Sequence, residues 1–315
     1  MATDGSPERW TLEPATYRRI VLVALGLLCA IVLTGAAVRL TGSGLGCSDW
    51  PNCEPGQFVE LGSPNQTIEQ VNRLFTGLVS VGVAAAVLGA VRRRPRRRDL
   101  VLLSWGLVAG VIGQIVLGGI TVLVDLHPVA VAAHFVLSMA LVIDATVLLW
   151  RAGTDDGPRR LLVGRTDVIA SRVALACGAL VLGMTGPMVT GAGPHAGDEA
   201  ARRFDLAITT ATRIHSISAW VFLAAVLFVL VRISTSDVPE AVITRGRVLL
   251  VVIVLQGAVG YLQYDLGIPA WLVIAHITGA CAIAIAATWF HLGLYSSEGA
   301  DRPRPSPVGA DPGTA

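Results

Sequence analysis

Long apolar runs separated by short polar segments make up most of the chain. Runs without a charged residue lie at 20–38, 74–91, 100–124, 248–262 and 268–294. Three others are interrupted by charge: 129–150 contains Asp144, 167–190 is broken by Arg172, and 206–231 contains Arg213. Since about 20 apolar residues of α-helix cross a bilayer, the pattern predicts eight membrane-spanning helices. The composition agrees, because 15% of the residues are charged, whereas soluble domains have about 25%.

Arginine is unevenly divided between the two sets of loops that eight spans create. One set carries clusters at 9–19, 92–98, 151–165 and 245–247. The other set has no Arg or Lys at 41–68 or in the turns near 125 and 265, and only Arg202 and Arg203 depart from the pattern. The positive-inside rule predicts that both termini are cytoplasmic; we call the arginine-rich end inner and the opposite end outer. The net charge of +2 does not identify a partner. We expect no nucleic-acid partner, and the apolar spans predict membrane lipid as the surrounding.

The chain repeats itself. Residues 34–44 and 185–193 both begin with Thr-Gly and both end with Thr-Gly-x-Gly. A glutamine precedes a histidine by 20 residues twice, Gln114 before His134 and Gln256 before His276. Generic packing of small residues between helices would not reproduce that interval without a gap. We therefore interpret the chain as one four-helix fold used twice in the same orientation.

The predicted fold is an all-α membrane protein with eight transmembrane helices in two pseudo-symmetric four-helix bundles. The N-terminal half spans 18–151 and the C-terminal half spans 167–294, joined by a cytoplasmic linker at 152–166. Residues 1–17 and 295–315 are rich in Pro, Gly and charge, which predicts disordered cytoplasmic tails.

Three histidines lie within spans, near their outer ends: His134, His215 and His276. A lone histidine in hydrocarbon must find a partner, and a hydrogen bond to a neighbouring helix is the ordinary one. His215 and His276, however, lie on alternate helices of one half at the same depth. Facing histidines in a helix bundle predict a bis-imidazole site for haem iron. Zinc or copper would need further ligands, and this half has no Cys, Asp or Glu at that depth.

The first half lacks a second histidine at the corresponding place. His215 lies 61 residues before His276. The position 61 residues before His134 lies within one residue of Asn72. Asn is a poor iron ligand. Glu69 lies one turn before Asn72 on nearly the same helical face. Its carboxylate is either solvated or acts in catalysis on the open side of a haem. One half thus has a complete cofactor site, and the other has one histidine.

Arg39, Arg73 and Arg213 are predicted at the outer membrane boundary. A guanidinium binds a carboxylate with two parallel hydrogen bonds, so these residues are candidates to hold haem propionates. The alternative is that they extend to the lipid headgroups. His127 and His195 lie in outer loops, where they contact propionates or have no role.

The cysteines fall into two groups. Cys47 and Cys53 lie in the first outer loop, where an oxidising environment and a short spacing predict a disulfide. The others lie within spans and are interpreted as small apolar packing residues: Cys29, Cys177 and Cys281. Near the inner side, His291 is interpreted as an interfacial residue, and Asp144 is an intramembrane carboxylate without an assigned partner.

Four features of the sequence resemble the haem A synthase family. Residues 41–47 read Thr-Gly-Ser-Gly-Leu-Gly-Cys, residues 50–53 read Trp-Pro-Asn-Cys, and residues 69–73 read Glu-Gln-Val-Asn-Arg. The fourth feature is the set of three in-span histidines. The resemblance extends over nearly all of residues 18–294, and the first outer loop is its most specific part.

The resemblance implies an oxidoreductase that converts the C8 methyl group of haem O into the formyl group of haem A, by successive hydroxylations, for terminal oxidase assembly. It implies haem b between His215 and His276, and substrate haem O in the first half at Asn72 and His134. It also implies a location in the bacterial cell membrane. Haem O synthase is an expected partner; the electron acceptor and any homo-oligomer stay open.

The chain departs from the family pattern at three places. The family motif is Glu-x-x-His-Arg, and Asn72 stands where its histidine would be. This leaves His134, Glu69 and Arg73 as candidates for ligand, catalytic carboxylate and propionate partner. Ser216 follows His215 where the family has Arg, and the loop 190–206 lacks the second cysteine pair of some members.

Two other functions suit a duplicated membrane bundle. A b-type cytochrome that carries electrons across the membrane would need two bis-histidine sites, which Asn72 argues against. A transporter has broken helices at the bilayer midplane rather than histidines at the outer rim.

Overall fold

The computed structural model describes residues 10–155, 157 and 159–297. Within these residues, eight helices are long and apolar enough to cross a membrane, which confirms the predicted all-α membrane fold. In chain order they are α1 (Pro14–Leu40), α2 (Pro64–Arg92), α3 (Arg98–Leu123), α4 (Pro128–Ala152), α5 (Arg165–Ala192), α6 (Ile208–Ser234), α7 (Glu240–Asp265) and α8 (Ala270–Leu292). Two short strands, β1 (Arg159–Leu161) and β2 (Tyr295–Ser297), complete the structure.

Several helices are longer than their apolar runs. Helix α2 begins ten residues before the run at 74–91, and α7 begins eight residues before the run at 248–262. At the start of α2, the Ser63 hydroxyl accepts a hydrogen bond from the Gln66 backbone N–H at 3.2 Å, and Pro64 occupies the first helical position. These are common helix-start signals. The extra turns of α2 carry Glu69, Asn72 and Arg73 at the outer end.

The helices pack as two four-helix bundles, α1–α4 and α5–α8. In each bundle, consecutive helices contact each other and the last helix contacts the first. Between the bundles, α4 contacts α8, α4 contacts α5, and α1 contacts α8. These contacts form a symmetric set, because exchanging the two halves turns α4–α5 into α8–α1 and leaves α4–α8 unchanged. The arrangement agrees with a pseudo-two-fold axis along the membrane normal.

The outer turns of the two halves also correspond in conformation. Asp125 and Leu126, between α3 and α4, have φ of 53° and 55°. Gly267 and Ile268, between α7 and α8, have φ of 76° and 61°. These positions are separated by the same number of residues as the two repeated histidines of α4 and α8. Left-handed backbone is uncommon for residues other than glycine, so its recurrence supports the duplication.

The linker and the start of the C-terminal tail pair with each other at the inner end. Strand β1 runs antiparallel to β2, with Arg160 opposite Ser296. The ring of Tyr295 contacts the ring of His291 with centroids 5.9 Å apart, and its hydroxyl lies 3.3 Å from Arg172 Nη2. Residues 295–297 therefore differ from the disordered tail that composition predicts. The predicted tail segments 1–9 and 298–315 lie outside the described residues, and helix α1 already begins at Pro14.

Ion pairs hold the inner ends of the helices in both halves. Asp99, at the start of α3, lies 2.8 Å from Arg97 Nη2 and 2.6 Å from Arg151 Nη2 at the end of α4. In the second half, Arg232 at the end of α6 donates to Asp167 of α5 at 2.7 Å. The charged residues at the inner end thus hold the helices together, whereas the candidate site residues lie at the outer end.

Candidate functional site

The second half brings two of the predicted histidines face to face. The imidazole rings of His215, on α6, and His276, on α8, have centroids 6.2 Å apart and planes at 76°. Metal–imidazole bonds of about 2.0 Å and a ring radius of roughly 1.1 Å place two imidazoles on opposite sides of one ion about 6 Å apart. The observed separation therefore fits a single iron between the rings.

Neighbouring helices fix the orientation of both rings. The Thr185 hydroxyl lies 3.0 Å from Nδ1 of His215, which leaves Nε2 as the nitrogen for a ligand. Gln256 Nε2 donates to the backbone carbonyl of His276 at 2.8 Å. A Cβ at Gly260 would lie 3.1 Å from Cε1 of His276, so any larger residue there would push this ring a few tenths of an ångström away from α7. Such hydrogen bonds and close packing hold ligands in place.

The first half reproduces the surroundings of His276 around His134. Gln114 Nε2 donates to the backbone carbonyl of His134 at 3.0 Å and to the Ser138 hydroxyl at 2.7 Å. A Cβ at Gly118 would lie 3.4 Å from Cε1 of His134. Nδ1 of His134 is buried, as is Nδ1 of His276, and neither has a hydrogen-bond partner among the described residues. The repeated Gln-to-His interval of the sequence thus encodes a repeated contact.

Asn72 occupies the place in the first half that His215 has in the second. The Thr34 hydroxyl donates to Oδ1 of Asn72 at 2.8 Å, and Thr185 makes the matching contact with the ring of His215. Both threonines belong to the repeated Thr-Gly pairs of α1 and α5. The two halves therefore keep the supporting hydroxyl and differ in the residue it supports.

The first outer loop is anchored directly to Glu69 and Arg73. Cys47 and Cys53 form the predicted disulfide. Glu69 is 4% exposed; its Oε2 accepts from the Cys47 backbone N–H at 2.8 Å, and its Oε1 accepts from Arg73 Nη2 at 2.5 Å. Arg73 Nη1 also donates to the backbone carbonyls of Asp49 and Asn52, at 3.0 and 2.9 Å. The buried ion pair therefore fastens the disulfide loop to α2.

The three arginines proposed from the sequence differ in what they bind. Arg73 uses its guanidinium for Glu69 and the loop. Arg39 Nη2 donates to the carbonyls of His195 and Ala196 at 3.2 and 3.3 Å, and its buried Nε has no hydrogen-bond partner among the described residues. Arg213 is exposed, and no ion pair or hydrogen bond links its guanidinium to the part of the chain that the structure describes. Arg39 and Arg213 retain donors for an anionic ligand.

A cavity of about 1750 Å³ connects both halves. Its volume exceeds the roughly 300–1,000 Å³ of an ordinary ligand pocket, so it has room for more than one large group. The predicted residues that line it are Arg39, Glu69, Asn72, Arg73, His134, His195, Arg213, His215 and His276. The rest of the lining is predominantly apolar, as a lipophilic ligand requires.

The donor set fits haem better than a bare metal ion. Within the described residues, no three His, Cys, Asp or Glu side chains cluster closely enough to hold a metal ion. Zinc sites use three or four protein ligands, whereas a porphyrin supplies four nitrogens and needs only axial ligands. The pair formed by His215 and His276 matches that second requirement.

The remaining residues singled out from the sequence lie apart from these pairs. His195 Nε2 donates to the carbonyl of Ile268 at 2.8 Å. This histidine therefore joins the outer loop between α5 and α6 to the turn before α8. His127 Nδ1 accepts from the Val129 backbone N–H at the start of α4. His291 lies 3.2 Å from the Ser171 hydroxyl at the inner end. Asp144 packs against Gly106 of α3.

Sequence reasoning did not assign a role to Thr34, Thr185, Gln114 or Gln256. Their repetition was visible in the sequence, but the partners that they contact lie on other helices. The contact between the thiols of Cys29 on α1 and Cys281 on α8 had no such signal.

The chain is similar to a protein family and to several proteins of known name. The chain matches the family described as COX15-CtaA, cytochrome oxidase assembly protein, over residues 18–65 and 59–288. It is 34% identical to a Heme A synthase from Lysinibacillus sphaericus over 130 residues, 41% of each chain. It is 36% identical to a Heme A synthase from Shouchella clausii over 141 residues, 43% of this chain and 45% of that one.

A third relative has a different name. The chain is 30% identical, over 164 residues, to a Protoheme IX farnesyltransferase from Chloroflexus aurantiacus, and the match covers 49% of this chain and 26% of the relative. The aligned stretches span less than half the length of each of these relatives. The family match extends over most of the chain and includes both bundles, so this protein belongs to the COX15-CtaA family of cytochrome oxidase assembly proteins.

Proposed function

We propose that this protein is a haem A synthase, an oxidoreductase that converts the C8 methyl group of haem O into a formyl group by successive hydroxylations. The observation that carries the proposal is the asymmetry of two otherwise matching sites. His215 and His276 face each other at 6.2 Å, whereas the first half offers His134 and an asparagine. A resident cofactor suits the first arrangement, and a substrate that must be exchanged suits the second.

In this proposal, the C-terminal half (167–294) holds haem b through His215 and His276. Haem between two imidazoles supplies one-electron transfer when bound. Thr185 orients the first ring through Nδ1, and Gln256 holds the backbone of the second. The protein's task in this half is to keep both nitrogens directed at one point and to exclude other ligands.

The N-terminal half (18–151) receives substrate haem O, with His134 as its protein ligand. Arg39 and Arg213 are the cations that hold its propionates, because their guanidinium groups retain unused donors at the outer rim. The apolar cavity wall accepts the rest of the molecule, since haem O is largely hydrophobic.

Glu69 is the proposed catalytic carboxylate. It lines the cavity, and each carboxylate oxygen that accepts one hydrogen bond retains a second lone pair. Arg73 Nε and Nη2 both donate to Oε1, and the Cys47 N–H donates to Oε2. The second lone pair of Oε2 is therefore the proposed acceptor for a proton released at the substrate methyl group. Arg73 acts through Glu69 and the outer loop as a positioning residue.

The relatives' names support the substrate assignment. Two are named Heme A synthase, and a segment similar to this chain occurs in a protein named Protoheme IX farnesyltransferase. We therefore propose that the substrate is the farnesylated haem that such an enzyme, haem O synthase, makes. The arginine distribution supports a bacterial cell membrane location with both termini in the cytoplasm, and terminal oxidase assembly is the proposed destination of the product.

The test is to produce the full chain in a bacterial host that makes haem O but not haem A. Haems extracted from the membranes are separated by chromatography and identified by mass. The proposal requires haem A with the wild-type chain and none with His134→Ala. Purified wild-type protein that contains haem b alone, with no haem A in the membranes, would instead make it a b-type electron carrier.

A further inference from the structure

The Thr34–Asn72 pair is the clearest local difference between the two halves. Thr34 on α1 and Thr185 on α5 direct equivalent hydroxyls at position 72 and position 215. In the second half this contact orients a nitrogen ligand. In the first half the same contact, at 2.8 Å, orients a side-chain amide.

An amide cannot replace imidazole as a ligand in this position. The nitrogen lone pair of an amide is delocalised, so only the carbonyl oxygen of Asn72 can bind a metal, and it is a weak, hard donor for haem iron. That oxygen accepts the Thr34 hydroxyl hydrogen. The two N–H donors of Asn72 remain, and Asn72 lines the same cavity as His134.

Resting on the proposed function, we propose that the first half binds its haem through His134 alone and leaves the opposite face to a small exogenous ligand. The ligand class is a small molecule or anion with a lone pair for iron and an acceptor for the Asn72 amide N–H. Cyanide and carbon monoxide are probes of this class. Thr34 is a positioning residue, because it fixes which end of the amide faces the ligand.

The second half provides an internal comparison. There the imidazole of His215 takes the place that the small ligand takes in the first half. Exchanging the two side chains between positions 72 and 215 should therefore exchange the ligand-binding behaviour of the halves. The supporting threonines remain in both variants.

The experiment uses the purified full chain loaded with both haems, with optical and electron paramagnetic resonance spectra as readouts. The wild type should bind about one carbon monoxide per chain when reduced, and show one low-spin and one high-spin signal when oxidised. Asn72→His should lose the high-spin signal and bind carbon monoxide at least tenfold more weakly. His215→Asn should bind about two per chain.

Two further variants test the amide itself. Thr34→Val should keep the carbon monoxide stoichiometry and weaken cyanide binding by about fivefold to tenfold, the effect of one misdirected hydrogen bond. Thr146→Val is the control, because the buried Thr146 hydroxyl donates to the Val142 carbonyl of its own helix; this variant should leave cyanide affinity unchanged.

Two results would overturn the inference while the proposed function stands: two low-spin signals in the wild type, or unchanged carbon monoxide binding in Asn72→His, with haem A still formed. A wild-type protein that holds one haem per chain, even after titration with added haem, would contradict both. Haem analysis of the same samples separates these cases.

Discussion

The two halves of this molecule share their scaffold and differ in the side chains that meet at its outer end. The glutamine that holds the backbone of the α4 or α8 histidine is the same in both, as is the threonine opposite. In the second half that threonine supports His215, and in the first half it supports Asn72. The duplicated fold thus has two equivalent positions, and the side chain that occupies them differs between the halves.

The neighbouring position extends the contrast. Arg73 follows Asn72 and binds Glu69 and the carbonyls of the disulfide loop. Ser216 follows His215 and lies 2.7 Å from the Tyr261 hydroxyl, on the adjacent helix. In the first half, the acidic group Glu69 lines the cavity and contacts a loop closed by a disulfide. Among the described residues of the second half, no Asp or Glu lines the cavity. A reaction site needs such groups, whereas a resident cofactor needs only stable ligands.

The largest expected effect is the removal of one ligand from the complete pair. His276→Ala should abolish the low-spin spectrum of the second half, because a single axial imidazole does not give a six-coordinate iron. Optical spectra and haem-to-protein ratios measure the loss. His291→Ala is the matched control on the same helix, since this histidine contacts Ser171 at the inner end. An unchanged low-spin signal in His276→Ala would remove the basis for assigning that pair.

The next effect concerns the acidic group that only the first half has. Glu69→Gln keeps the shape of the side chain but removes its charge, so haem A formation should fall at least about a hundredfold, the lower end of what a single general acid or base contributes. The b-type spectrum should be intact. Glu240→Gln, an exposed glutamate at the inner end, serves as the control. Normal haem A content in the Glu69 variant would mean that Glu69 holds the loop in place and is not catalytic.

The number of helices and the duplication could be predicted from the sequence because they depend on local apolarity and regular spacing. The Gln114–His134 interval predicted equivalence and corresponds to a real contact. What Glu69 binds could not be predicted, because the Cys47 N–H reaches it through the path of an irregular loop. The apolar run did not predict the start of α2 at Pro64, because the first turns of this helix are polar and precede the run.

Opening the disulfide should have an intermediate effect. Replacing Cys47 and Cys53 with serine removes a small closed loop, a change worth about 2 kcal/mol in the chain-entropy account. The contacts of Glu69 and Arg73 still hold the loop, so haem A content should fall severalfold rather than vanish. Cys177→Ser, at an exposed free cysteine, is the control. Complete loss of haem A would mean that the disulfide itself takes part in turnover.

The smallest effect tests whether the supporting contacts of the halves are equivalent. Gln114→Met and Gln256→Met each remove one hydrogen bond to a histidine carbonyl and roughly keep the side-chain volume. Ser138→Ala is measured alongside, because Gln114 also donates to the Ser138 hydroxyl. Interhelical hydrogen bonds in membranes contribute about 0.6 kcal/mol, so each variant should release haem from its own half about threefold faster. Spectrally resolved haem-release rates measure this. If both variants speeded haem release from the same half only, the two glutamine contacts would not be equivalent.

The central claim is that one duplicated fold holds two different haems, and the haem content of matched variants tests it most directly. Chromatography and mass analysis of haems extracted from purified wild type, His134→Ala and His276→Ala give the result. We predict haem b together with haem O or haem A in the wild type, haem b alone in His134→Ala, and depletion of haem b alone in His276→Ala. Loss of the same haem from both variants, or haem b as the sole haem of the wild type, would contradict the account.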